Sequence, residues 1–140
     1  MLQLLKAKAY ELKKLADFYA VCGYGGTFNS DDTVFYILQD NKLCAVVRIA
    51  SEQGIPVLRG MQVLPHLRGQ HIGKELLKYM MSKLSPNQLP CYCLPHSHLI
   101  NFYGEAGFVI AEPSNTPEFL IKRKQSYLQQ GLKIELMVKN

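Results

Sequence analysis

The sequence lacks long blocks of lysine and arginine, an apolar run approaching the roughly 20 residues that cross a bilayer, and any repeat, linker or low-complexity tract. The first absence argues against a nucleic-acid-binding arm. The second argues against a membrane-spanning protein, and no nucleic-acid or membrane partner is expected. Lys6, Lys8, Lys13 and Lys14 lie among apolar residues near the N-terminus, but no apolar stretch of the signal-peptide kind follows them. Cysteine is sparse, at Cys22, Cys44, Cys91 and Cys93. With no secretory context these read as reduced thiols, and the protein as cytoplasmic. Charged residues make up only 19%, and 48% of the chain is hydrophobic, so wholesale disorder is not expected. A chain of 140 residues suits a single domain spanning residues 1–140. The formal net charge of +5 and the pI near 9.0 suit an anionic ligand, either a phosphorylated cofactor or a nucleic acid, without choosing between them.

Periodicity divides the chain into alternating element types. Met1–Leu5 reads as a short strand. From about Ala7 the pattern turns helical, with Leu12, Leu15, Ala16 and Tyr19 on one face. Cys22–Asp32 is a glycine-bearing, polar break, exposed and able to meet a substrate. Thr33–Leu38 and Leu43–Ile49 read as a strand pair around Asp40-Asn41-Lys42. Val57–Val63 is a third strand, and Gly60 inside it predicts a bulge or a close approach of ligand to backbone. A helix is expected over Gln70–Leu84 with Ile72, Leu76, Leu77, Met80 and Leu84 buried. Cys91–Leu94 follows as a short strand. Ser97 is placed to cap a short helix whose apolar face is Leu99, Phe102, Tyr103 and Ala106, with Gly107 closing it. Phe108–Ala111 reads as a strand, Pro117–Gln130 as a helix with Pro at its first position, and Leu132–Lys139 as a final strand. The fold class expected is α/β, a mixed sheet with helices on its faces.

The chemistry concentrates in Val63–Lys74, where a strand runs through a glycine-bearing turn into a helix. The first N–H groups of a helix have no intrahelical partner, and the helix dipole adds partial positive charge there. Such an end can cradle a diphosphate. Gly69 and Gly73 permit close approach, and Arg68 and Lys74 add charge. The stretch has neither the Gly-Lys-Ser/Thr ending of a P-loop nor three glycines in the dinucleotide pattern. The plain alternative is a tight strand-to-helix turn with solvated basic residues.

The segment Arg68-Gly69-Gln70-His71-Ile72-Gly73 resembles the acetyl-CoA-binding motif of the GNAT acetyltransferases, Arg/Gln-x-x-Gly-x-Gly/Ala. His71 stands where that motif has its first glycine. A second signature of the family, aromatic-Tyr-x-x-x-Gly-Phe, is matched by Phe102-Tyr103-Gly104-Glu105-Ala106-Gly107-Phe108, about 30 residues later. The resemblance covers nearly the whole chain and identifies it as similar to a small stand-alone GNAT domain. It implies a central, mostly antiparallel sheet splayed at the cofactor site, with helices on both faces.

The resemblance further implies transfer of an acetyl group from acetyl-CoA to an amine. The pyrophosphate would lie on Arg68, Gly69, Gln70, His71, Ile72, Gly73 and Lys74, and the pantetheine arm along the backbone of Met61, Gln62 and Val63. A backbone N–H near Met61 would hold the oxyanion. Tyr103 stands where the family often places its general acid, and an unperturbed phenol is protonated at neutral pH; the same tyrosine also shares an apolar face and could serve packing alone. The family's cofactor-contacting Asn corresponds to His96, with Asn101 near it in sequence. Val57–Val63 carries no carboxylate for a general base, and His66, Glu105, His96 or a water chain stay open. The acceptor is expected to be a small-molecule amine, and the protein a monomer or homodimer. A CoA-binding protein without activity is the alternative. So, further off, is a metal site at Cys91, Cys93, His96 and His98, although one residue between paired cysteines is unusual spacing for zinc and no metal is expected.

Overall fold

The apolar stretches on either side of Asp40-Asn41 fold back on one another. Both turn residues take positive φ, 51° and 65°, the pair of left-handed conformations that a two-residue hairpin turn demands. The computed structural model describes residues 1–140, which group into two units, residues 1–84 and 85–140.

The first unit contains β1 (Leu2–Lys6), a 3-10 turn (Ala9–Glu11), α1 (Leu12–Val21), β2 (Thr33–Gln39), β3 (Lys42–Glu52), β4 (Ile55–Val63) and α2 (Ile72–Lys83). Its strands pair antiparallel in sequence order. Successive strand residues point to opposite faces, and both faces of β2 are used. On one, Val34 and Tyr36 pack with Val46 against Leu15, Phe18 and Tyr19 of α1. On the other, Phe35 meets the edge of Tyr79 from α2, with ring centroids 5.7 Å apart. Helix α2 buries Ile72, Leu76, Leu77 and Met80 of the stripe that its 3.6-residue spacing predicts; Leu84, the fifth, lies just past the helix end in extended backbone and is half-buried. Tyr36 adds a polar tether, its hydroxyl donating to Glu11 Oε2 at 2.5 Å. That bond holds the Glu11 carboxyl below its usual range, and burial together with Glu11 pushes Tyr36 up to about 12.

The second unit contains β5 (Cys91–Cys93), a 3-10 turn (Ser97–Leu99), α3 (Ile100–Gly104), β6 (Val109–Ile110), α4 (Glu118–Gln129) and β7 (Met137–Lys139). Strand β7 lies between β5 and β6, antiparallel to both. Gly107 takes φ 101° after α3, and Phe108 N–H returns to the Tyr103 carbonyl at 3.2 Å, a left-handed helix ending.

Several boundaries depart from the periodicity reading. Helix α1 starts at Leu12 behind a 3-10 turn; Ala16 is exposed, and Phe18 takes its place in the core. Ser97 is the first residue of its turn, not its cap, and His96 stands at the cap position. Pro117 is the residue before α4, not its first. The last strand is shorter than Leu132–Lys139. Ahead of β7 the chain makes only an isolated bridge between Ile134 and His96, because the facing segment contains Pro95, which has no N–H to extend a ladder. No helix is long and apolar enough to cross a membrane.

Candidate functional site

After β4 the chain makes a 3-10 turn at Pro65–Leu67 and enters α2 through Arg68–His71. Arg68 is exposed but anchored. Its Nε donates to the Val63 carbonyl at 3.0 Å, and its Nη2 to Gln62 Oε1 at 3.5 Å. The guanidinium is therefore held over the end of β4, beside the turn. Gly69 has φ 83°, and nothing lies within 4 Å of where a Cβ would stand. The first helical bond runs from Glu75 N–H to the His71 carbonyl at 3.1 Å. The N–H groups of Ile72 and Gly73 thus precede the helical pattern and have no partner within it. His71, exposed at the helix start, takes φ 64° and ψ 11°. That is left-handed backbone, which glycine adopts freely and which costs an ordinary L-residue about 1–2 kcal/mol. The histidine thus keeps the conformation natural to the glycine it replaces in the motif.

Leading into that turn, β4 is irregular. Val46 pairs with Gln62 and Arg48 with Arg59, so Gly60 and Met61 together oppose the single residue Val47. This is a β-bulge, at the glycine where the sequence predicts one. Gly60 has φ 66°, and its carbonyl accepts a 2.7 Å hydrogen bond from the Tyr19 hydroxyl. A Cβ at this position would collide with that hydroxyl and come within 3.2 Å of the Tyr24 ring. The Gly60 carbonyl and the Met61 N–H belong to one planar trans peptide and point in opposite directions. Fixing the carbonyl on Tyr19 therefore fixes the direction of the Met61 N–H, and polarises it as a donor.

Tyr19 belongs to a cluster that no motif announces. Its ring stacks on Phe28 at 4.9 Å and meets Tyr24 edge-on at 4.7 Å. Beside it Arg48 of β3 is 5% exposed, the one polar or charged residue in the buried class. Arg48 Nη1 lies 3.2 Å from Asp32 Oδ2, which also accepts from Asn29 N–H at 2.9 Å. Burial disfavours the Arg48 charge, but the Tyr24 hydroxyl, Tyr19 and Asp32 outweigh it, and the group stays charged. Burial pushes the Tyr19 phenol up, against the pull of Arg48. Two atoms of the ion pair, Arg48 Nε and Asp32 Oδ1, are buried without a hydrogen-bond partner. Each such atom costs about 1–3 kcal/mol. The signal available in the sequence is Arg48 itself, a lone charge in the apolar run Leu43–Ala50.

In the second unit Tyr103 is buried, in edge-on contact with Phe102 at 5.0 Å and Phe108 at 5.9 Å. Burial, and then Cys93, push its phenol up. His96 and Asn101 are exposed, the ring of His96 stacking on His98 at 5.9 Å. Cys91 and Cys93 are buried, and burial raises the Cys93 thiol. No three His, Cys, Asp or Glu side chains are grouped to hold a metal ion. His66 and Glu105 are exposed, and their geometry singles out neither as a base.

Residues 30–110 match the family described as acetyltransferase (GNAT) domain. No curated protein matches the chain. Among solved structures, Escherichia coli ElaA aligns over 100% of both chains with a TM-score of 0.70 at 20% identity. An acyl-CoA N-acyltransferase from Pseudomonas aeruginosa aligns over 100% of both chains, with a TM-score of 0.70 at 19% identity. N-acetylglutamate synthase from Neisseria gonorrhoeae, complexed with coenzyme A and N-acetyl-glutamate, aligns over 99% of this chain and 35% of its own, with a TM-score of 0.67 at 15% identity. At these identities the likeness establishes the fold, that of the acyl-CoA N-acyltransferases.

Proposed function

The chain belongs to the GNAT acetyltransferase family, and from that premise we propose that it moves the acetyl group of acetyl-CoA onto the amine of a small-molecule acceptor. The observation that carries this reading is the turn at Arg68–Lys74. It offers the helix-start N–H groups of Ile72 and Gly73, the anchored Arg68 guanidinium, and left-handed backbone at Gly69 and His71. These features fit a diphosphate. The backbone of Met61, Gln62 and Val63 would hold the pantetheine arm. His96 and Asn101, both exposed, are the further cofactor contacts that the family resemblance proposes.

In the transfer, the neutral amine attacks the thioester carbon; a C–N bond forms and the C–S bond breaks. Charge developing on the carbonyl oxygen falls to the Met61 N–H, whose peptide Tyr19 orients. The proton lost by the amine passes to water, and no residue is assigned as base. Tyr103 would return a proton to the CoA sulfur. Its raised pKa keeps it protonated throughout the neutral range, but makes it a weaker acid than a thiol of pKa about 8.5. Its contribution should therefore fall at the low end of general acid catalysis, about 10²-fold. Tyr103→Phe is expected to lower kcat by about that factor with acetyl-CoA affinity unchanged. Full activity in this variant, read by thiol release, would transfer the acid role to water or another group. A CoA-binding protein without turnover is the second reading, favoured by the absence of any carboxylate between Val57 and Val63 on β4. It predicts acetyl-CoA binding with no thiol released on any amine.

A further inference from the structure

We propose that Arg48 and Asp32 form the acceptor subsite, and that the acceptor is a zwitterion, an amine carrying a carboxylate close by, as an amino acid does. The inference rests on the acetyl-transfer reading and deepens it by naming a substrate class.

An ion pair withdrawn from water is seldom worth more to stability than apolar side chains of the same volume. This one is withdrawn almost completely, with the Arg48 side chain 6% exposed and that of Asp32 0%. It is also half-made. A guanidinium and a carboxylate can join through two parallel bonds, yet here one contact is formed, from Nη1 to Oδ2 at 3.2 Å. Arg48 Nε and Asp32 Oδ1 are left over, both buried and both without a partner. A cationic donor and an anionic acceptor of one ion pair are thus each buried without a hydrogen-bond partner.

The ligand that satisfies both carries a carboxylate oxygen for Nε and a protonated amine for Oδ1; the ammonium gives one proton to water before the neutral amine attacks. A simple amine answers only Asp32, and a simple anion only Arg48. Charge selects the same class. Arg48 and Asp32 cancel, so a zwitterion adds no net charge to the buried site, whereas a bare ammonium or carboxylate would.

The location suits an acceptor. Arg48 interacts with Tyr19 and Tyr24, and the Tyr19 hydroxyl bonds to the Gly60 carbonyl. The same peptide carries the Met61 N–H proposed to face the reacting carbonyl. The site is covered by the segment between α1 and β2, where Tyr24 and Phe28 rest on Tyr19. Entry of a ligand requires that segment to lift, breaking the ring contacts on Tyr19 and the bond from Tyr24 N–H to the Tyr19 carbonyl.

The test starts with calorimetric titration of acetyl-CoA into the purified protein, which addresses the parent reading alone. Thiol release is then measured with the common L-amino acids and, for each one accepted, its methyl ester and decarboxylated amine. The free acid is expected to exceed both derivatives by about 100-fold in kcat/KM, because a site built around buried polar groups rejects an analogue lacking the matching group. In Arg48→Met that preference should fall to about threefold or less, with Arg48→Lys between; melting temperature and acetyl-CoA affinity report whether each variant is folded. Should Arg48→Met not fold, the preference of the unmodified protein and of Arg48→Lys decides. Derivatives that match their acids, a folded Arg48 variant that keeps the full preference, or acetyl-CoA binding with no amino acid accepted would each overturn the subsite while leaving the cofactor reading intact. Failure to bind acetyl-CoA would overturn the cofactor reading and the subsite with it.

Discussion

Arg68 and Arg48 lie in the same unit of the chain, and they are treated in opposite ways. Arg68 is exposed, its guanidinium tied to the Val63 carbonyl and the Gln62 side chain. Arg48 is buried against Asp32, Tyr19 and Tyr24 with one donor unspent. The exposed arginine keeps its hydration until a ligand arrives, and contributes steering and a screened attraction. The buried one has given up hydration in advance, so whatever it binds meets a charge already desolvated and oriented. The first arrangement suits a large polyanion held mainly by backbone N–H groups. The second suits a small ligand chosen by chemical type. Cofactor binding should therefore tolerate the loss of a single side chain better than acceptor choice does, and should fail only where a group is placed in the anion site itself.

Three substitutions sharpen that contrast. Gly73→Glu should have the largest effect. A carboxylate in the first turn of α2 favours the helix, so the fold is kept, but it occupies the anion site itself; acetyl-CoA affinity should drop by about 100-fold or more, read by calorimetry. Tyr19→Phe comes next. It removes the hydroxyl that holds the Gly60–Met61 peptide, and kcat should fall by about tenfold, less than for direct loss of an oxyanion donor, with acetyl-CoA affinity unmoved. An equal loss in affinity would mean that Tyr19 shapes the cofactor groove instead. His71→Gly should have the smallest effect and the opposite sign. Relief of left-handed strain, less the extra freedom that glycine gives the unfolded chain, leaves a gain of about 0.5–1 kcal/mol in urea unfolding. Acetyl-CoA affinity should hold or improve; a clear loss would show that the imidazole itself contacts a phosphate.

Much of this was legible in the residues. The α2 stripe, the hairpin at Asp40-Asn41 and the bulge at Gly60 follow from periodicity and from glycine's freedom at positive φ. The turn at Arg68–Lys74 was legible because its chemistry is local: strand, glycine and helix start adjoin in sequence. The Arg48 cluster was not, because its members come from α1, the segment after it, β3 and β4, and only folding brings them together. Ladder length also escaped, since the end of β7 depends on what Pro95 offers across from it. Ala16 and Phe18 lie two positions apart, and helical spacing alone did not decide which of them α1 turns toward the sheet.

The most direct test of the central claim is calorimetric titration of the folded protein with acetyl-CoA, with AMP as control. The account predicts saturable binding of acetyl-CoA, lost in Gly73→Glu and far weaker or absent for AMP. No binding by folded protein, or binding indifferent to Gly73→Glu, would contradict it.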